Sequence, residues 1–197
     1  RSDRIAFLCG RERKLLCIPV NQLKFKGKAC IISAVLMKVN FGHASVILAD
    51  GMGTGREAAD ISSAVLGALE KFLRAGLPPE LSLSLVDNMM FLKNESGTDS
   101  STVDLLTVDT FTGEGRSYKF GAAPSFIRHG GAVRVITSGI FPAGLTQNPA
   151  RREAIRRFRV SDGDIIVMCS DGIAGKREDR RVRSALEASS GDTKELC

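Results

Sequence analysis

Two short apolar runs, "SAVLMKV" and "ASVILAD", flank the tetrapeptide "NFGH", a pattern that predicts a β-hairpin. The second run ends on Asp50. The periodicity then changes. "REAADISSAVLGALEKFLRAG" places Ile61, Val65, Leu69 and Phe72 at helical spacing, and Gly76 with Pro78 and Pro79 ends the pattern. "PELSLSLVDNMMFLKN" predicts a second helix with Leu81, Leu85, Met89 and Leu92 on one apolar face.

Alternation of period two returns at "STVDLLTVDT" (101–110). "FTGEG" turns the chain, "SYKFGAA" runs back, and "PSFIRHGGAVRVI" predicts a hairpin around His129, Gly130 and Gly131. A further apolar strand, Ile165–Cys169, ends at Ser170, Asp171 and Gly172, and the last segment has a helical middle. Before residue 40, "RIAFLC", "KLLCIPV" and "CIISAVLMKV" each read as strands, and residues 1–34 carry no other assignment. Strand–helix alternation is missing and hairpins dominate. The expectation is one α+β domain over residues 1–197, with two antiparallel sheets layered between helices.

The composition of the 197-residue chain is that of a globular protein, with a net charge of +6. Its basic residues cluster in "RREAIRRFR" (151–159) and "KREDRRVR" (176–183), which read as solvated helix or loop faces. One Tyr and no Trp leave little surface for stacking bases, so no nucleic-acid partner is expected. The five cysteines include no CxxC pair, which points to a reducing compartment and away from a disulfide framework or a zinc site. The longest apolar run, 29–37, is far too short to span a membrane and no signal peptide is seen; a cytoplasmic location is expected. Neither end reads as natural, so the chain is expected to be a piece of a longer protein.

Asp-Gly occurs at 50–51, 162–163 and 171–172. The middle copy precedes a strand and reads as a turn. The other two follow apolar strands, so each puts a carboxylate at a strand's C-terminal end. Two such ends side by side suit hard divalent cations, which take carboxylate and backbone oxygens. Asp50 and Asp171 are the candidate catalytic and metal-binding residues, with Gly51 offering its carbonyl. The alternative is a pair of ordinary strand exits. A second alternative is the GxGxxA match at Gly53–Ala58, a dinucleotide fingerprint; a helix rather than a strand follows its first helix, and Asp50 sets a negative charge beside the phosphates. His43 and His129 sit in hairpin turns and read as solvated.

The segments "ILADGMGTGREA", "STVDLLTVDTFTGE", "KFGAAPSFIRHGG", "GIFPAGL" and "GDIIVMCSDGI" resemble, in order and spacing, the bacterial metal-dependent protein phosphatases (PPM, type 2C), and within them the sporulation members. The resemblance covers about residues 35–175. It implies an αββα sandwich, a two-metal site for Mn²⁺ or Mg²⁺, and hydrolysis of phosphoserine or phosphothreonine on a phosphorylated protein of the anti-anti-sigma-factor type. It further implies that Asp50 bridges the metals, that Gly51 and Asp171 are ligands, and that the two helices after Asp50 are regulatory. A homodimer and a membrane-anchored parent protein are compatible with it. The chain departs from the family pattern in carrying no acid on the strand before "DGMG" and in stopping before a last Asp-rich strand. A catalytically weak phosphatase fold used for protein binding is the competing reading.

Overall fold

A computed structural model describes residues 5–9, 32–38, 42–53, 55–93, 100–137, 142–144, 155–170 and 179–188. In chain order these form β1 (Ile5–Cys9), β2 (Ile32–Lys38), β3 (His43–Gly51), α1 (Arg56–Arg74), α2 (Pro79–Lys93), β4 (Ser101–Asp109), β5 (Glu114–Phe120), β6 (Ser125–His129), β7 (Ala132–Ile136), β8 (Ile155–Arg159), β9 (Asp164–Met168) and α3 (Asp179–Ala188). The strands make a five-stranded sheet ordered β2-β3-β4-β5-β8 and a four-stranded sheet ordered β1-β9-β6-β7. Every pairing between these strands is antiparallel.

Alternation along β3 sorts its side chains between two cores. Ala44, Val46 and Leu48 point between the sheets, where they meet Ile127, Ile166 and Met168 of the other sheet. Ile47 and Ala49 point outward, under Val65, Leu69 and Leu73 of α1 and Leu83 and Val86 of α2. On the far side, Leu186 of α3 packs with Phe126, Val133 and Ile165. The layers run helix pair, sheet, sheet, helix. This is the expected αββα arrangement, and it exists because the central strands β3, β4 and β9 bury side chains on both faces.

The phase of α2 differs from the sequence expectation. Leu81, Met89 and Leu92 are exposed, and the buried side chains are Ser82, Leu83, Val86 and Asp87, with Met90 packed against the core. "LSLSL" places leucine in both phases, so the spacing alone does not select a face. The 151–159 basic cluster is corrected too. It forms neither helix nor loop over 155–159 but the edge strand β8, whose Arg156, Arg157 and Arg159 are solvated while Phe158 is buried between the sheets. "KLLCIPV" lies outside the described residues; β1 and β2 lie within the two other early runs.

Candidate metal centre

β3 ends on Asp50 and Gly51. Asp50 continues the Ala44, Val46, Leu48 alternation, so its side chain belongs to the face between the sheets, and the residue is buried. Ser101 at the start of β4 donates its hydroxyl to the Asp50 carbonyl at 3.0 Å, and the Met52 N–H donates to the Ser100 carbonyl at 2.9 Å. The strand end is thus pinned from its neighbour. The glycines do separate work. A Cβ on Gly51 would sit 2.0 Å from the carbonyl oxygen of Ala58, because the first turn of α1 lies directly on this residue. Gly53 and Gly55 take φ of 102° and 84°, which lets the chain reverse from strand to helix within one turn.

The second candidate strand end is that of β9. Ile165 to Ser170 are buried throughout. Asp171 and Gly172 lie outside the described residues. β9 pairs with β6 so that Met168 faces Ser125, the first residue of β6. Ser125 in turn meets the end of the first sheet where Asp50 lies. Lys119 of β5, 1% exposed, donates through Nζ to Asp104 Oδ2 at 2.5 Å, to the Ala123 carbonyl at 2.6 Å and to Ser125 Oγ at 2.8 Å. Ser125 Oγ donates to Asp104 Oδ2 at 2.6 Å. Asp104 lies opposite Leu48 and Lys119, one pleat from the Asp50–Thr102 pair. The C-terminal ends of β3 and β9 therefore lie at the same end of the sandwich.

Asp104, Lys119 and Ser125 were not singled out from the sequence. Asp104 in the middle of "TVDLL" and Lys119 before "FGAA" hold alternating positions of their strands, where a charge ordinarily faces solvent. The histidines divide. His43 is exposed. His129 is exposed but meets the buried Asp164 at 2.7 Å, and Asp164 also accepts the Ser161 N–H at 2.8 Å across the Asp162-Gly163 turn.

A dinucleotide frame is absent from this part of the fold. α1 leads into α2, and the strand that follows, β4, lies antiparallel beside β3. The oxygen donors of Asp50, Gly51 and Asp171 suit Mg²⁺ or Mn²⁺ in their chemistry. Among the described residues, no three His, Cys, Asp or Glu side chains converge, so any such centre draws on residues beyond them, Asp171 first.

A family model described as stage II sporulation protein E (SpoIIE) matches residues 41–196. The chain belongs to the SpoIIE family. It is 29% identical over 140 residues to the stage II sporulation protein E of Bacillus subtilis and 26% identical over 138 residues to that of Priestia megaterium. Each match covers 70% of this chain but only 16% and 23% of the two SpoIIE proteins. Among solved structures, the PP2C phosphatase domain of B. subtilis SpoIIE with a fragment of its regulatory domain superposes with a TM-score of 0.72 at 22% identity, over 98% of this chain and 53% of that one. The RsbU and RsbW domains of a Mycobacterium tuberculosis protein give 0.73 at 21% identity, over 100% and 54%. RsbX in complex with magnesium gives 0.67 at 18%, over 89% and 81%. The fold is thus that of the PP2C-type domain of SpoIIE. No helix among the described residues is long and apolar enough to cross a membrane.

Proposed function

We propose that the chain is a serine/threonine protein phosphatase domain that works with Mn²⁺ or Mg²⁺ held by the Asp50 carboxylate, the Gly51 carbonyl and the Asp171 carboxylate. The observation that carries this reading is the convergence of the β3 and β9 ends, with a buried carboxylate on the first, in a chain of the SpoIIE family. Hard divalent cations take carboxylate and backbone-carbonyl oxygens, the donors that Asp50 and Gly51 supply at the end of β3. When bound, such a cation polarises the phosphoryl group and makes water a better nucleophile at neutral pH. The protein's part is to hold the ligands still. Ser101 and Met52 fix the Asp50 backbone, and the sandwich fixes the β9 end.

The substrate in this reading is a phosphorylated regulatory protein of the anti-anti-sigma-factor type, with a role in sporulation signalling or a related partner switch. The family membership supports it. A homodimer belongs to the same reading, supported by the exposed Leu81, Met89 and Leu92 of α2; sedimentation of the native chain against Leu92→Lys tests it. The binding-module reading keeps one observation in its favour: β2 meets Asp50 at Ile32, and its sequence "ISAVLMK" supplies no acid.

The deciding experiment is phosphate release from a phosphoserine protein with Mn²⁺. Asp50→Asn and Asp171→Asn should each abolish release while leaving far-UV circular dichroism unchanged. Native rates in both variants at saturating Mn²⁺ would overturn the assignment.

A further inference from the structure

We propose that Asp104, Lys119 and Ser125 form a polar strut that sets the spacing between the strand ends carrying Asp50 and Asp171, and so act as positioning residues for the metal centre. The inference rests on the phosphatase reading above.

The location is the first argument. Lys119 and Asp104 belong to the five-stranded sheet, and Ser125 to the four-stranded sheet. Their contacts cross the sandwich at one level. On one side, Asp104 pairs with Leu48, two residues before Asp50. On the other, Ser125 pairs with Met168, three residues before Asp171. Neighbouring contacts between the sheets are made by Leu48, Leu106, Ile127, Ile166 and Met168, which are apolar.

The chemistry is the second. Apolar packing is non-directional and tolerates small slides of one sheet over the other. A lysine ammonium with three fixed acceptors does not: each hydrogen bond fixes a distance and an angle. Nor is stability a sufficient reason for the pair. Burying two charges costs desolvation that the attraction roughly offsets, and well-packed apolar replacements of buried ion pairs are often neutral or stabilising. Here the network is not even complete, because Asp104 Oδ1 is buried and finds no hydrogen-bond partner among the described residues. Geometry, rather than free energy, is what this arrangement supplies. A metal centre assembled from two sheets needs that geometry, since a carboxylate displaced by a fraction of an ångström no longer coordinates well.

The test replaces the pair by apolar residues, Asp104→Leu with Lys119→Met, and separately removes the bridge to the second sheet with Ser125→Ala. Ser125→Thr, which restores the hydroxyl, is the rescue. Two measurements are made on each. Hydrogen exchange of the metal-free chain should be faster by about tenfold at residues 100–104 and 165–170, with α1 and β7 unchanged. Calorimetric titration with Mn²⁺ should show binding weakened by about 10- to 100-fold, the range seen when groups behind metal ligands are removed, and Ser125→Thr should recover most of it. Unchanged exchange at both strand ends, or faster exchange spread evenly over the chain, would overturn the strut, as would native Mn²⁺ affinity in folded Ser125→Ala. A native chain that binds no Mn²⁺ overturns the phosphatase reading alone, and the exchange pattern then decides the strut. If the double variant fails to fold, the Ser125 series decides.

Discussion

Asp87, buried on α2, accepts the backbone N–H of Gly144 at 3.0 Å. The contact continues. Ala143 exchanges two backbone hydrogen bonds with Ser101, at 2.8 and 3.2 Å, and the Ser101 hydroxyl reaches the Asp50 carbonyl. A continuous hydrogen-bonded path therefore runs from the second helix to the strand end that carries the candidate ligand.

Breaking that path at its helical end gives a first prediction. Asp87→Ala leaves the Gly144 N–H without this partner, at a cost of about 1–3 kcal/mol for a buried donor. On the proposed function, the Mn²⁺ concentration for half-maximal phosphate release should rise. Val86→Ala, a neighbouring apolar truncation of similar stability cost, should move it less. Equal shifts in the two variants would assign the effect to general loosening of α2. The comparison tests whether these helices govern the metal site.

Gly51 gives a second. A methyl group there meets the Ala58 carbonyl at 2.0 Å, so α1 must shift or the strand end must bend. Gly51→Ala should destabilise the protein by about 1–3 kcal/mol, in the range of overpacked sites. Gly53→Ala meets no atom within 4 Å, and only its φ of 102° opposes the substitution. Urea denaturation of the two should rank Gly51→Ala as the more harmful.

The αββα layering was legible because β3, β4 and β9 are apolar in runs of strand length, and because "NFGH", "FTGEG" and "HGG" mark the β2–β3, β4–β5 and β6–β7 turns. Asp50 was legible for a local reason: a carboxylate followed by glycine stands where an apolar run stops. The strut was not. Asp104 and Lys119 each sit inside an alternating strand, where a charge ordinarily reads as solvent-facing, and only the register that sets them opposite each other reveals a buried pair. Gly51 was assigned to freeing a carbonyl, whereas the structure shows a nearer reason in the close approach of Ala58. The phase of α2 failed because Leu81, Leu83 and Leu85 offer two faces and tertiary contacts choose between them. Asp171 remains a reading from the sequence, since it lies outside the described residues.

That phase yields a third prediction. Leu83 is 4% exposed and Leu92 is 78% exposed. Leu83→Ala should cost about 2–5 kcal/mol, as buried leucine truncations do. Leu92→Ala should stay within about 0.5 kcal/mol, as surface changes do. Thermal melts of both variants check this, and the reverse order would restore the face expected from spacing.

The last prediction concerns alkaline pH. Tyr118 is buried under the helix pair and donates its hydroxyl to Glu80 Oε1 at 2.8 Å. Burial, and then the hydrogen bond to Glu80, push its pKa up from its ordinary value of 10.0 to about 12, against a smaller opposing influence of Arg116. Burial disfavours the charged tyrosinate, and the carboxylate beside it does so again. The sign follows by linkage. Below pH 10 both folded and unfolded chains keep the phenol proton, and Tyr118 has no effect on the pH dependence. As pH rises from about 10 to about 12, the unfolded chain loses the proton while the folded chain keeps it, so the folded state is progressively destabilised through this window. Tyr118→Phe should flatten that part of the stability curve in urea titrations. The chain has a single Tyr and no Trp, so tyrosinate absorbance reports this one residue. It should appear late in the native protein and near the ordinary phenol value in urea, and a native midpoint near 10 would show that the contact with Glu80 does not hold the proton in solution.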